Sequence, residues 1–129
     1  MKITHVAIWT EQLERLKDFY VRYFKATAGE KYVNPDKGFA SYFMTFQGET
    51  TLELMSSTNL HARAEDKSVY VVGLAHLAFG LEDEKAVDEQ IRRLQQDGYA
   101  LISAPRRTGD GYYESAVLDP DGNIIEITC

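Results

Sequence analysis

The chain has 129 residues, a formal net charge of -6, 44% hydrophobic and 26% charged residues. That size and composition describe an ordinary globular chain, one domain or two small halves sharing a core, with no need of staples to hold it. The negative charge argues against nucleic acid as a partner, because phosphate binding needs a basic face, and no stretch approaches the roughly 18 apolar residues of a membrane span.

Taken in chain order, Ile3 to Trp9 reads as a strand, with Thr10 placed to cap a following helix. Leu13, Leu16, Tyr20, Tyr23 and Phe24 recur at three- and four-residue spacing, which makes one apolar helical stripe. A weakly marked strand is expected around Ala26 to Val33, and Asn34-Pro35-Asp36-Lys37-Gly38 is turn material. Phe39 to Phe46 and Thr50 to Met55 are β-rich runs, and Ser56 to Ser68 reads as a polar linker. Val71 to Phe79 predicts another strand. Asp83 to Asp97 predicts a helix with Val87, Ile91 and Leu94 on one face, closed by Gly98. Tyr99 to Ser103 and Tyr113 to Leu118 read as strands joined by a loop from Ala104 to Gly111, and DPDGN leads into a last strand, IIEIT. The order repeats with a period near 70 residues: module one about 1–58, a linker about 59–70, module two about 71–129. The polar turn taken by the N-terminal stretch after eight residues is unlike a signal peptide, and the single cysteine, Cys129, excludes an internal disulfide or thiolate cluster. A cytoplasmic setting is the expectation.

Polar residues sit at matching places in the two halves. His5 and His76 fall in the first strand of each module, Glu53 and Glu126 in the last, separated by 48 and 50 residues. A lone strand histidine is usually a hydrogen-bonded structural residue, and a lone strand glutamate is usually solvated. The joint, symmetric placement is what singles them out. Strand alternation puts His5 with Ile3, Ala7 and Trp9, Glu53 with Thr51 and Met55, and Glu126 with Ile124 and Thr128. The opposite faces (Val6, Ile8; Leu52, Leu54; Ile125, Ile127) are aliphatic and suited to packing under helices. If the halves pair about a pseudo-twofold axis, all four polar side chains can converge. Two imidazoles and two carboxylates suit one divalent ion, Zn, Ni, Co, Mn or Fe, whose charge offsets the cost of gathering carboxylates away from water.

At these residues the chain resembles the vicinal oxygen chelate superfamily, most closely its glyoxalase I-like members. The resemblance spans essentially the whole chain and rests on HVAI with FYVRYF, on LEL, on GLAHLAF and on LDPDGNIIEI. It implies an α+β fold of two paired βαβββ modules forming a cup-shaped mixed sheet, with His5, Glu53, His76 and Glu126 holding one metal. It further implies a metal-dependent lyase or isomerase acting on a small oxo substrate, a thiol hemithioacetal, with Glu126 as first candidate base and Glu53 as ligand and partner in proton return. A homodimer is expected by the same resemblance. Trp9 stands where glutathione-using relatives carry arginine, and Asn59 falls two positions late for a thiol-binding asparagine, so the thiol itself is left open. Trp9, Arg106, Arg107 and Tyr42 are the candidates for substrate contact, with Phe39 and Phe43 as further cavity-lining residues, and His61 reads as exposed. The alternatives are a non-catalytic drug-binding or resistance protein, and a metal-dependent thiol transferase or dioxygenase of the same superfamily.

Overall fold

Alternation of apolar residues along the strands and three-to-four spacing along the helices build two compact units, Met1–Glu65 and Asp66–Cys129. The computed structural model describes residues 2–61, 73–109 and 111–129. In the first unit the elements run β1 (His5–Trp9), α1 (Leu13–Phe24), β2 (Thr27–Ala28), β3 (Tyr32–Asn34), a 3₁₀ turn (Pro35–Lys37), β4 (Phe39–Thr45) and β5 (Thr51–Ser57). The sheet order is β1-β5-β4-β2, with β3 also on β4; β1 and β5 are parallel and the other pairs antiparallel. Helix α1 buries Leu13, Leu16, Phe19, Tyr20 and Tyr23 against Met44, Leu52 and Leu54. Phe19 joins the expected stripe, and Phe24 is only half-buried at its edge.

The second unit repeats the plan: β6 (Leu77–Gly80), α2 (Glu84–Gln96), β7 (Leu101–Arg107), β8 (Tyr113–Leu118) and β9 (Ile124–Thr128). Its sheet order is β6-β9-β8-β7, with β6 and β9 parallel. Val87, Ile91 and Leu94 of α2 are buried, as are Val117, Ile125 and Ile127 of the sheet on which that helix packs. Asp83 caps α2 by accepting the Ala86 N–H at 2.8 Å, and Gly98 follows at φ 88, a left-handed position that favours glycine. The fold is therefore α+β, two βαβββ-like modules with mixed sheets. Among the described residues no helix is long and apolar enough to cross a membrane.

Several expected boundaries shift, each for a local reason. Thr10 does not cap α1; the N-cap position is Gln12, and the Thr10 hydroxyl instead accepts the Gln12 N–H at 2.9 Å, closing the turn before the helix. Ser56 and Ser57, expected in the linker, continue β5, because Phe39 and Ala40 offer rungs opposite them. The remainder of that linker from residue 62 lies outside the described residues, as do Val71 and Val72. The strand expected over Val71–Phe79 is seen only from Leu77, so His76 precedes β6 rather than lying inside it. The loop expected over Ala104–Gly111 is strand as far as Arg107. Proline is tolerated there because β7 is an edge strand and its pairing with β8 shifts register on both sides of Ser103.

The DPDGN turn is held by one side chain. Buried Asp119 accepts the N–H groups of Asp121 and Asn123 through Oδ1, both at 2.9 Å, and the Asn123 amide through Oδ2 at 2.9 Å. Gly122 supplies the left-handed residue at φ 79. The turn pins Leu118 opposite Ile124, which sends Ile125 and Ile127 under α2 and leaves Glu126 on the other face. Ile127→Ala is expected to cost about 2–5 kcal/mol in urea unfolding, whereas Ile124→Ala costs under about 1 kcal/mol; equal losses would contradict this register.

Candidate metal and substrate site

The polar residues singled out above are set by strand register. In the first sheet Ala7 pairs with Glu53; in the second Ala78 pairs with Glu126. Each histidine stands two residues before the alanine that faces the glutamate, in HVA and HLA respectively. The resulting pairs match. His5 Nε2 lies 4.0 Å from Glu53 Oε2, and His76 Nε2 lies 3.7 Å from Glu126 Oε2. Both imidazoles are nearly half exposed, while the carboxylates keep only 16% and 22% of their side-chain exposure.

These carboxylates are flanked by buried Leu52, Leu54, Ile125 and Ile127, which fix their direction. Among the described residues neither carboxylate accepts a hydrogen bond. A shielded carboxylate without a donor is costly, and a cation beside it removes that cost. Zinc-type bonds of about 2.0–2.2 Å place two ligands of one ion roughly 3–3.5 Å apart at ordinary angles. The two pairs, at 4.0 and 3.7 Å, are wider than that by about 1 Å at most, a gap closed by side-chain rotations. The donor set thus fits a divalent ion. Among the described residues of either unit the donors come as pairs, with no third His, Cys, Asp or Glu beside them.

The two pairs differ in their third neighbour. Glu53 faces Phe43 across β4, and the His5 ring meets the Phe43 ring edge-on with centroids 5.6 Å apart. Glu126 faces Ala116 at the corresponding place on β8. One histidine therefore meets an aromatic ring, while the other glutamate stands opposite a small residue.

The four candidates for substrate contact divide by face. Trp9 faces Met55 on the same side of its sheet as Glu53, is 51% exposed and stands edge-on to Phe39 at 6.1 Å. Arg106 pairs with Glu114, its Nη1 3.2 Å from the carboxylate; Glu114 is two residues from Ala116, so both lie on the Glu126 face. Tyr42 lies on the other face. Because Phe43 faces the glutamate, its neighbour Tyr42 turns to the helix side, donates its hydroxyl to the Glu14 carboxylate at 3.1 Å and lies under Lys17 and Lys31. Arg107 is likewise turned away, tied to Glu84 at the start of α2 and to the Gly111 carbonyl at 3.3 Å. His61 is exposed, as expected.

The first unit also holds a cavity of about 280 Å³, lined by Thr10, Glu11, Gly38, Ser56, Ser57, Thr58 and Leu60. Its signal was the hydroxyl run Ser56-Ser57-Thr58, which had the look of linker.

The chain belongs to the Glyoxalase/Bleomycin resistance protein/Dioxygenase superfamily, whose family model matches residues 2–127. It is 37% identical over 59 residues to the Uncharacterized protein YqjT of Bacillus subtilis, a match covering 43% of this chain and 46%, less than half, of that relative. Among solved structures it is similar to a glyoxalase family protein from Enterococcus faecalis, at 26% identity and a TM-score of 0.79, covering 99% of this chain and 97% of that one. The fold is also that of the trypanothione-dependent glyoxalase I of Leishmania major, at 23% identity and a TM-score of 0.75, covering 98% and 85%.

The Tyr42 arrangement makes its own prediction. The Lys31 ammonium, with Lys17 and the Tyr42 hydroxyl, holds the Glu14 carboxyl below its ordinary range. A carboxyl lowered in the folded state adds stability above its unfolded pKa and loses it as pH falls through the folded one. Lys31→Gln is expected to move the Glu14 titration upward by NMR, toward pH 4.5, without changing substrate or metal binding. An unmoved titration would remove Lys31 as the cause.

Proposed function

We propose that the chain is a metal-dependent isomerase or lyase of the glyoxalase I type, acting on the hemithioacetal of a thiol and a 2-oxoaldehyde. The observation behind the reading is the repeated His–Glu pair: two shielded carboxylates, without hydrogen-bond donors among the described residues, each beside an imidazole. His5, Glu53, His76 and Glu126 would hold the divalent ion. Bound there, the ion would act as a Lewis acid, offsetting negative charge on the substrate oxygens and acidifying the neighbouring C–H.

The chain's own residues then move a proton. Glu126 is assigned as the base: its partner across the strand pair is the small Ala116, whereas that of Glu53 is the bulky Phe43. Its carboxylate takes the proton from the carbon bearing sulfur and hydroxyl, and a carboxyl returns it to the adjacent carbon, so the product is the thioester of a 2-hydroxy acid. Glu53 serves as ligand and second proton carrier. Trp9 and Phe39 offer an apolar wall on the Glu53 face, and Arg106 a cation on the Glu126 face. The reading includes a homodimer, to be checked by light scattering.

The exposed Trp9 ring, edge-on to the half-buried Phe39 ring, favours one other reading, a non-catalytic cup for an aromatic drug. The two are separated by metal analysis of untagged protein and by turnover. The isomerase reading expects one divalent ion per assembled site and loss of that ion in Glu53→Gln. Glu126→Gln is expected to lower kcat by roughly 10²–10⁴-fold. Protein that binds no divalent ion, turns over no hemithioacetal and binds aromatic drugs tightly would establish the sequestering reading instead.

A further inference from the structure

The second sheet carries two adjacent rows of side chains on its Glu126 face. Strand pairing sets Ala78, Glu126, Ala116 and Ser103 side by side across β6, β9, β8 and β7. One step along the strands, about 7 Å away, the same pairing sets Gly80, Thr128, Glu114 and Arg106 in line. The first row holds the proposed base between two alanines. Thr128 and Glu114 of the second have no part in the proton chemistry above.

The second row is polar, and its two charges offset each other. The Glu114 carboxylate keeps 17% of its side-chain exposure and lies 3.2 Å from Arg106 Nη1. Thr128 stands directly opposite Glu114, yet its hydroxyl oxygen is buried and has no hydrogen-bond partner among the described residues. A buried hydroxyl left unmet is unfavourable, and a state of the site that satisfies it is favoured by that much. Thr128 as a whole is part-exposed, so rotation about χ1 can carry the hydroxyl outward without giving up a bond. The row thus offers a hydroxyl, a carboxylate and a guanidinium. An apolar group laid over it would strip water from all three and return no hydrogen bond. A carboxylate would meet Arg106 with Glu114 beside it, so attraction and repulsion nearly cancel. A hydroxyl donates to Glu114, accepts from Thr128 and leaves the ion pair intact.

We propose that this row binds the group carried next to the reacting carbons and selects a hydroxyl there over a methyl or a carboxylate. The step between rows matches a carbon at Glu126, one further carbon bearing the hydroxyl, and the hydrogen bond to Thr128. The substrate class is then the adduct of a hydroxylated 2-oxoaldehyde rather than of an alkyl one. Thr128 and Glu114 determine the specificity, and Arg106 holds Glu114 in place. That the bound group belongs to such an adduct rests on the isomerase reading; the preference for a hydroxyl rests on the row alone.

The test uses the full chain without added metal and three methyl ketones alike except at one end: hydroxyacetone (hydroxyl), 2-butanone (methyl) and acetoacetate (carboxylate). Titration by NMR is expected to shift the amides of Gly80, Glu114 and Thr128. Hydroxyacetone should bind at least about fivefold more tightly than either other probe. Thr128→Val should reduce that ratio to within about twofold, and Thr128→Ser, which keeps the hydroxyl, should preserve it. Glu114→Gln leaves Arg106 unopposed and should make acetoacetate the tightest of the three, an outcome that a merely structural role would not produce. Equal binding, tighter 2-butanone binding, shifts away from these amides, a preference that survives Thr128→Val, or an unchanged order in Glu114→Gln would overturn the assignment. The hemithioacetals of methylglyoxal and hydroxypyruvaldehyde with glutathione and with 2-mercaptoethanol are assayed in parallel with divalent metal added. Absent turnover with the probe preference intact would count against the isomerase reading and leave the row's selectivity standing. Equal turnover of the two aldehydes, with no probe preference, would do the reverse.

Discussion

The register of two parallel strand pairs is the constraint on which the rest depends. Ala7 opposite Glu53 and Ala78 opposite Glu126 set, in each sheet, a small residue across from a carboxylate and a histidine two positions away. A slip of one residue would send Glu53 and Glu126 into the aliphatic layers under α1 and α2 and bring Leu54 or Ile127 outward. The hydrophobic helices therefore hold the polar pairs in place without touching them. Burial of Leu52, Leu54, Ile125 and Ile127 is what aims the carboxylates.

The two halves share this frame but differ where it matters for a ligand. Phe43 and Ala116 occupy corresponding positions beside Glu53 and Glu126. The first sheet presents aromatic rings and, further along β5, a hydroxyl-lined cavity. The second presents a small residue and an arginine held by Glu114. A repeated scaffold thus carries different side chains at matching positions beside its two glutamates.

Much of this was legible in the residues themselves. The stripes of α1 and α2 and the alternation of β5 and β9 are strong periodic signals, and they locate the buried faces. The HVA and HLA tripeptides mark the histidines, though His76 lies one residue outside its strand. Tyr42 and Arg107, expected near a substrate, instead meet Glu14 and Glu84, because aromatic and arginine side chains suit a pocket or a helix-facing ion pair equally well, and alternation decides between them only once the strand ends are known. Pro105 hid the length of β7, because proline reads as a loop unless an edge strand with a bulge accommodates it. The cavity escaped notice because serine and threonine look alike in linkers and at the ends of strands.

The Asp119 turn joins strands that are neighbours in sequence, whereas the Ala7–Glu53 and Ala78–Glu126 rungs close loops of about fifty residues. Loop closure makes the long-range rungs the slower to form, so hairpin β8–β9 has its geometry before either histidine-bearing segment docks beside its glutamate. The His–Glu pairs thus form later than the local hairpin. A nascent or partly unfolded chain therefore carries these carboxylates without the imidazoles that the complete fold sets beside them.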